Sequence, residues 1–429
     1  MAMKECRHSG LDVFSVGALH TAIEDTDYVE CRSLAALNSD GPVEFSVPGG
    51  TPYLDLANTY LRVKAKVTNA DGTAVDAGHN VVPVNLLLHS MFSDVTVYVG
   101  GVQVSTCSGA YPYQAYLQTL LSYGQGPKHS HLEAALWYQD TAAHFDKLDG
   151  DDNEGSMVRR VRAAESKTLD MVGRLHSELF HQSKFLLNHL DVRVKLTRSK
   201  DEFVLMSSMD PAPRFKLELV DVGLFVKKVS INPAISLSHE KILEKHNAKY
   251  PVTKLVMRVY TAPANSMNFS VDNMFLDHLP NRVVLGFVKA SSINGSLKTN
   301  PFKFEHCDIN SLSLYHQGKQ IPTKGLQPDF DSHQCTRSFM SLYTGTNTAW
   351  NDHSCGVRWR DYPRGYTLWV FDLTTSQSHA PEAIEVSRAG PLRFECKFKK
   401  ALGEAYNLIV YSEFQNRIEI TRSREVVVL

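Results

Sequence analysis

The chain has 429 residues, a length at which two or three folded domains are expected. Hydrophobic residues make up 43% of the sequence and charged residues 21%, a composition that excludes a disordered or fibrous protein. The formal net charge of −1 provides no overall field that would draw the protein to nucleic acid or to an anionic membrane.

The N-terminal segment and the cysteine pattern indicate the compartment. The first residues, MAMKECRHSG, contain no apolar core of signal-peptide length, and no stretch approaches the roughly 20 apolar residues of a membrane span. None of the seven cysteines forms a CxxC pair, so neither a zinc ribbon nor a disulfide framework is indicated. We therefore expect a cytosolic or nuclear protein with reduced thiols.

Strand patterns dominate the first half of the chain. Val, Ile, Tyr and Phe recur with period-two spacing, which favours half-buried strands of antiparallel sheets. The predicted strands are VEFSV (43–47), TYLRVKAKV (59–67), the hairpin SDVTVYVGGVQVS (93–105), LDVRVKL (190–196), FVLM (203–206) and KLELVDVGLFVKKV (216–229). In the hairpin, Gly100 and Gly101 can supply the two positive-φ positions of a tight turn.

The second half has the same character. Its predicted strands are KLVMRVY (254–260), NRVVLGFV (281–288), SLSLY (311–315), YTLWVFDL (366–373), LRFECKF (392–398), NLIVYSEF (407–414) and NRIEITR (416–422). Predicted helices are few and short, at AYLQTLLSY (115–123), LEAALWYQ (132–139) and SLSHEKILEKHNA (236–248). The polar segment 144–167 predicts a long exposed loop.

A weaker copy of the first hairpin, NSLSLYHQGKQIP (310–322), lies in the second half of the chain. At one constant offset, three residues fall on identical residues: Tyr98 on Tyr315, Gly101 on Gly318 and Gln103 on Gln320. The strand EFSV (44–47) is likewise echoed by NFSV (268–271). The shared order of these matches favours an internal duplication. Two many-stranded antiparallel units of this size predict two sandwiches or jelly rolls in tandem.

Three motifs suggest metal binding, and each lacks something that a site requires. DGDDNEG (149–155) begins like an EF-hand loop, but Glu154 and Arg160 stand where a glycine and a bidentate glutamate are needed. HSHLE (129–133) lacks the cupin spacing, and HSELFH (176–181) lacks the i,i+4 spacing of a zinc helix. No GxSxG or GxGxxG is present. We therefore expect no catalytic, cofactor-binding or metal-binding residues.

The segment RWRDYPRGY (358–366) interleaves arginines with aromatic residues. This composition is also found on surfaces that stack single-stranded nucleic acid, but the neutral net charge provides no supporting field. A loop whose aromatics pack against the sandwich or a neighbouring subunit is the favoured interpretation. Trp350, Trp359 and Trp369 are the interface candidates, because large amphipathic rings concentrate at buried interfaces.

Ten segments together resemble one family, the major capsid protein of Polinton/Maverick elements and of their viral relatives, the adintoviruses. In chain order they are GLDVFSV (10–16), GPVEFSVPGGTPYLDLANTYLRVKAKV (41–67), GRLHSELFHQSKFLLNHLDVRVKL (173–196), LFVKKVSINPAISLSHEKILEKHNAKYPV (224–252), FLDHLPNRVVLGFV (275–288), INGSLKTNPFKFEH (293–306), LYHQGKQIP (314–322), FMSLYTGT (339–346), GYTLWVFDLT (365–374) and NLIVYSEFQNRIEITRSREV (407–426).

The resemblance implies an all-β double jelly roll, that is, two tandem eight-stranded antiparallel β-sandwiches with a few short helices in loops and linker. The corresponding boundaries are an N-terminal arm at 1–42, a first jelly roll at 43–229, a linker with a short helix at 230–252 and a second jelly roll at 253–429.

The resemblance further implies a structural major capsid protein without enzyme activity or cofactor. Three chains would form a homotrimeric, pseudo-hexameric capsomer, and many capsomers would tile the icosahedral shell of a double-stranded DNA virus. Expected partners are neighbouring capsomers and a penton or minor capsid protein, with packaged DNA contacted only indirectly and no membrane span. The protein would be made in the host cytoplasm, assembled in the host cytoplasm or nucleus, and located in the virion.

Other classes stay open at this point. A tandem jelly-roll carbohydrate-binding, lectin-like module would use surface aromatics such as Trp350 and Trp359. A cupin-like or glycosidase-like enzyme would need a metal or a carboxylate pair, and the carboxylates here are plentiful but scattered. A domesticated capsid gene that assembles without packaging DNA is a variant of the capsid hypothesis.

Overall fold

The computed structural model describes residues 21–37, 41–106, 108–209, 214–352, 354–377, 386 and 388–429. Its strands are β1 (Ile23–Arg32), β2 (Val43–Val47), β3 (Tyr53–Asn69), β4 (Val81–Pro83), β5 (Phe92–Val99), β6 (Val102–Gln103), β7 (Leu169–Gly173), β8 (Val192–Arg198), β9 (Leu205–Ser207), β10 (Phe215–Ile231), β11 (Ala248–Ala262), β12 (Asn268–Phe275), β13 (Arg282–Lys289), β14 (Ile309–His316), β15 (Lys319–Leu326), β16 (Trp369–Asp372), β17 (Leu392–Phe398), β18 (Tyr406–Ile420) and β19 (Val426–Val428).

The helices are short. The α-helices are α1 (Leu87–Ser90), α2 (Tyr111–Ser122), α3 (Gln125–Lys128), α4 (Glu154–Ala163), α5 (Asp201–Val204), α6 (Pro233–Leu243), α7 (Ala290–Asn294) and α8 (Thr336–Gly345), and 3-10 helices lie at His131–Ala135, Ala164–Ser166 and Glu178–His181. Among the described residues, no helix has the length and apolar character needed to cross a membrane.

Strands β1 to β10 build the first sandwich. Two four-stranded antiparallel sheets have the strand orders β1-β10-β3-β7 and β2-β8-β5-β6, and β4 pairs with β9 beside them. Alternation along β3 identifies the inner face of its sheet. Leu61 and Val63 are fully buried in the core, whereas Arg62 and Lys64 lie half-buried on the outer face.

The second sandwich repeats this topology. Its sheets have the orders β11-β18-β13-β16 and β12-β17-β14-β15, with β19 added beside β18. With β4 and β9 set aside and the strands of each sandwich numbered in their own chain order, both sandwiches are arranged as 1-8-3-6 and 2-7-4-5. Two four-stranded sheets in this order form an eight-stranded jelly roll. The chain is a double jelly roll.

The N-terminal boundary differs from the predicted arm at 1–42. Residues 23–32 of that arm form β1, which pairs with β10 and belongs to the first sandwich. Residues 1–20 and 38–40 lie outside the described residues. The sequence IEDTDYVECR did not indicate a strand because β1 is exposed at almost every position and lacks the apolar alternation of a half-buried strand.

The segment between the sandwiches is shorter than the predicted linker at 230–252. Strand β10 continues to Ile231, β11 begins at Ala248, and α6 lies between them. The helix starts before the predicted 236–248 because Asn232 caps it by accepting a hydrogen bond of 2.9 Å from the Ala234 amide. Pro233 then takes the first helical position, where a missing amide proton costs nothing.

The polar segment 144–167 contains helix α4 instead of being a loop throughout. Asn153 caps this helix by accepting a hydrogen bond of 3.3 Å from the Ser156 amide. The helix side chain of Arg159 is buried inside the protein. The charged composition of the segment therefore concealed a helix with four buried positions, Gly155, Ser156, Arg159 and Ala163.

Candidate functional site

The two predicted hairpins occupy equivalent places in the two sandwiches. Each tyrosine pairs with the glutamine of its own hairpin, Tyr98 with Gln103 in β5–β6 and Tyr315 with Gln320 in β14–β15. Gly101 and Gly318 lie in the turns with φ angles of +78° and +77°. Glycine adopts this left-handed conformation without the clash that a Cβ would cause.

The equivalence extends to an arginine on the neighbouring strand. Arg193 of β8 lies opposite Tyr98, and Arg393 of β17 lies opposite Tyr315. The Arg393 guanidinium is 6.0 Å from the centre of the Tyr315 ring, within cation–π distance. Both arginines are on the seventh strand of their sandwich, a correspondence that the sequence comparison missed.

The three candidate interface tryptophans lie in different environments. Trp350 is 90% exposed and Trp359 is 42% exposed, and both follow α8 in the connection to β16. Trp369, in contrast, is fully buried on β16, with its ring 6.3 Å from that of Phe287. It is part of the core of the second sandwich, so its assignment as an interface residue is corrected. The apolar run around it forms a buried strand.

Residues of the three metal-like sequence motifs take part in local structure. His129 contacts the Gln125 side chain at 3.0 Å, and Asp149 accepts a hydrogen bond of 3.1 Å from Ser208. Asn153 is the cap of α4. Over the described part of the chain, no group of three His, Cys, Asp or Glu side chains is arranged to hold a metal ion.

Aromatic side chains join the two sandwiches. Tyr116 of α2 stacks on Phe302, with ring centroids 4.3 Å apart and planes 3° from parallel. Tyr113 of the same helix meets the ring of Phe304 edge-on at 6.5 Å. Phe304 in turn lies against β13, where a Cβ on Gly286 would come within 2.5 Å of its ring. These contacts form an apolar layer between the first sandwich and a sheet of the second.

A buried ion pair lies beside this layer. The Asp140 carboxylate and the Arg159 guanidinium are 2.6 Å apart, and their side chains are 0% and 1% exposed. Asn153 and Asn300 donate to the same carboxylate at 2.9 and 3.2 Å, and Arg159 also donates to the Pro83 carbonyl at 2.9 Å. Because Asn300 belongs to the second half of the chain, the network links the sandwiches. Such a pair is tolerated only when its charges are fully hydrogen-bonded.

Two further charged groups reach from the first sandwich to the second. Lys128 donates to the carbonyls of Leu120 and Cys355 at 2.7 and 2.6 Å, and burial lowers the pKa of its ammonium to about 8. Glu178 accepts a long hydrogen bond of 3.4 Å from the Leu255 amide on β11, and burial raises the pKa of this carboxyl. The first sandwich thereby covers the free edge of β11 around Leu255.

Three histidines lie side by side in the first sandwich, with His89 and His176 buried and His181 exposed at the surface. The ring of His176 lies 4.6 Å from that of His89 and 5.6 Å from that of His181. His89 shares a hydrogen bond of 2.9 Å with the Tyr111 hydroxyl, and Arg174 contacts His181 at 3.0 Å. Burial lowers the pKa of His89 to about 3 and holds the pKa of His176 well below its usual value. Both buried histidines are therefore neutral at pH 7.

The outer faces of the two sandwiches differ in how they are covered. In the second sandwich, positions 283–288 of β13 and 406–413 of β18 are buried without interruption, because α2 of the first sandwich packs on β18 and Phe304 packs on β13. The equivalent sheet of the first sandwich has an open outer face. There Tyr60 lies between Tyr28 and Phe225, with ring centroids 5.6 and 5.0 Å away. Tyr28 is 50% exposed, and such an aromatic row is typical of an interaction surface.

Comparisons with known proteins agree with this architecture. No protein-family model matches the chain. The uncharacterized protein F54H12.2 of Caenorhabditis elegans is 23% identical over 424 residues, which span 95% of this chain and 98% of that protein.

Solved structures of viral major capsid proteins share the fold. A chain of the Sputnik virophage matches with a TM-score of 0.70 at 12% identity, covering 100% of this chain and 93% of its own. The mavirus major capsid protein matches with a TM-score of 0.56 at 12% identity, covering 100% and 96%. The capsid protein of PBCV-1 matches with a TM-score of 0.59 at 9% identity, covering 97% and 98%. These matches confirm the predicted all-β double jelly roll.

Proposed function

We propose that this protein is a major capsid protein, a structural subunit that forms homotrimeric, pseudo-hexameric capsomers of an icosahedral shell. The observation that carries the proposal is the presence of two jelly rolls of identical strand order in one chain. The full-length match to the mavirus and Sputnik structures supports it. Three such chains around an axis bring six similar units together, and the resulting near-hexagonal body can tile a closed surface.

The proposed role requires shape and contact surfaces, not a reactive group. Contacts within a trimer should be large and core-like, above about 2,000 Å² of buried surface, because the subunit is not useful alone. Contacts between capsomers repeat by symmetry and can each be weak. A formal net charge of −1 suits close tiling, because strongly like-charged subunits would repel one another.

The proposal extends to lineage, partners and location. The sequence resemblance assigns the chain to the Polinton/Maverick and adintovirus capsid proteins. Its partners are then further copies of itself and a penton or minor capsid protein at the vertices, with packaged double-stranded DNA only indirectly in contact. The protein is synthesised in the host cytoplasm and becomes a component of the virion.

Light scattering coupled to size-exclusion chromatography tests the proposal directly. A trimer has a mass of three times 48.0 kDa, about 144 kDa, and we expect this species at micromolar concentration. A protein that stays monomeric at 48.0 kDa over the same concentration range contradicts a capsid subunit. Bound carbohydrate in a glycan screen, lost on Trp350→Ala, would instead favour a lectin-like module.

A further inference from the structure

We propose that the open outer face around β1 in the first sandwich is a docking surface for a second copy of this chain, and that the occupant is the connection carrying Trp350 and Trp359. The inference rests on the proposed function, because it assigns the residues of the contact within the capsomer. The proposal follows from a comparison of the two sandwiches within one chain, namely of the elements that pack on the outer face of each.

Within one chain, two segments of the first sandwich pack on the second sandwich. The connection from β6 to β7 contains α2, which touches β18 and whose tyrosines pack on Phe302 and Phe304. The segment around Glu178 covers the free edge of β11 around Leu255. The strand order is the same in both sandwiches, so β11 and β1 are equivalent first strands.

The corresponding surface of the first sandwich has no such cover within the described residues. β1 pairs with β10 on one side and is exposed at most positions along its length. Exposed Tyr28 begins the aromatic row that continues through Tyr60 to Phe225. An exposed edge strand with aromatic neighbours would promote aggregation unless a partner covers it.

The corresponding connection in the second sandwich is held by Lys128 at Cys355, but its two tryptophans remain exposed. The connection from β15 to β16 contains α8, of which five residues are buried, whereas α2 buries ten. Trp350 and Trp359 project from this connection into solvent. An exposed tryptophan of this kind is the side chain most often found at the centre of a protein interface.

Charge distinguishes this pairing from a contact between two identical faces. β1 carries four acidic residues and one arginine: Glu24, Asp25, Asp27, Glu30 and Arg32. The segment 358–364, RWRDYPR, carries three arginines and one aspartate. Farther along the same outer face, Arg62 and Lys66 of β3 are paired with Asp170 and Glu218, so the acidic edge at β1 is the part that the arginine segment meets. Two β1 edges would repel each other, whereas β1 and the arginine segment attract. The contact is therefore heterologous, and it closes into a ring when each copy is rotated by a third of a turn.

Two sets of substitutions separate the two faces. The acceptor variant is Tyr28→Ala with Glu30→Arg, and the donor variant is Trp350→Ser with Arg360→Glu. All four side chains are substantially exposed, so each variant should keep the unfolding temperature of the wild type. Leu237→Ser, at a 58% exposed position on α6 outside both substituted segments, is the matched control.

Sedimentation of the separate and mixed variants gives the test. We expect a trimer near 144 kDa for the wild type and the control, and monomers for each variant alone at concentrations at least tenfold above the wild-type dissociation range. In an equimolar mixture, the intact donor connection of the acceptor variant can bind the intact β1 face of the donor variant. The mixture should therefore form a dimer of two 48.0 kDa chains, about 96 kDa. Combining Glu30→Arg with Arg360→Glu in one chain should recover trimers.

Different failures have different meanings. If the wild type forms trimers and either variant does so equally well, these faces are not the contact, and the proposed capsid function is unaffected. If the mixture stays monomeric while both variants are folded monomers, the heterologous pairing is overturned. If the wild type itself is monomeric, the proposed function fails together with this inference.

Discussion

Tyr116 in the first sandwich stacks face to face on Phe302 in the second, with ring centroids 4.3 Å apart. Both side chains are fully buried. A parallel pair buried at a boundary between two β-sandwiches contributes apolar burial and ring contact at the same time. The relative position of the two jelly rolls therefore depends on a few aromatic residues outside the strands.

Substitutions at Tyr116 should separate ring packing from the hydroxyl group. Tyr116→Ala leaves a cavity at the boundary and should lower the free energy of unfolding by about 3–5 kcal/mol. The hydroxyl is buried and has no hydrogen-bond partner within the described residues, so Tyr116→Phe should be neutral or stabilising by up to about 1 kcal/mol. Urea unfolding followed by tryptophan fluorescence measures both. Equal stability of the alanine variant and the wild type would show that the boundary does not need the ring.

Two ion pairs of equal length should contribute differently to the free energy of unfolding, because one is buried and the other is exposed. Asp140 and Arg159 are 2.6 Å apart and buried, whereas Asp170 and Arg62 are also 2.6 Å apart but 48% and 35% exposed. Asp140→Asn leaves a buried, unpaired guanidinium and should cost about 3–5 kcal/mol. Asp170→Asn, the control, should cost at most about 1 kcal/mol. Thermal unfolding of the two variants compares them, and similar losses would contradict the structural role of the buried network.

The two hairpin turns should respond alike to substitution. Gly101→Ala and Gly318→Ala each place a Cβ in the left-handed region, at φ of +78° and +77°, with no neighbouring atom within 4 Å. Backbone strain alone then sets the cost, about 1 kcal/mol in each case. Gly78 also has open space around it but no positive φ, so Gly78→Ala should be neutral or slightly stabilising. Melting temperatures of the three variants give the comparison; a large loss at one hairpin only would argue against equivalent turns.

The histidine cluster should make the fold sensitive to mild acid. Since burial lowers the pKa of His89 to about 3 and holds that of His176 well below its usual value, the unfolded chain takes up protons first as the pH falls below about 6.5. The free energy of unfolding should therefore fall between pH 7 and pH 5, by up to about 1.4 kcal/mol per pH unit for each histidine. Above pH 7 this contribution is fully present.

Histidine variants can separate the contribution of the cluster to the pH dependence of unfolding from that of other histidines. His89→Gln should make the decline between pH 7 and pH 5 shallower by roughly one proton, because His89 is buried and its pKa is lowered to about 3. His129→Gln changes an exposed histidine outside the cluster and should leave the slope unchanged. Denaturant midpoints at several pH values provide the data, and parallel pH profiles for all three proteins would refute the assignment.

Alternation of side chains was enough to predict most of the sheet structure. The strands VEFSV and LRFECKF have the predicted bounds, 43–47 and 392–398, because each alternates buried and outward positions. Two predicted strands, 407–414 and 416–422, are instead one long strand, β18. Their apparent break reflects a change from burial on both faces to burial on one face, not a turn.

The boundary between the sandwiches could not be predicted in the same way. Phe302 lies in a loop without periodicity, and its partner Tyr116 is far away in the sequence. The helix YPYQAYLQTLLS gave one signal, since it has no polar face and must be buried on all sides. Trp369 was assigned to a surface because an aromatic ring suits both interfaces and cores, and only the packing on β16 distinguishes them.

The central claim is that the duplicated fold builds a capsid subunit. Electron microscopy of the purified protein, imaged alone at micromolar concentration, tests this claim most directly. Class averages should display near-hexagonal bodies in which three chains contribute six jelly rolls, or closed shells built from them. Images of separate single chains, or of assemblies without threefold symmetry, would contradict a capsid subunit whose working part is the duplicated fold.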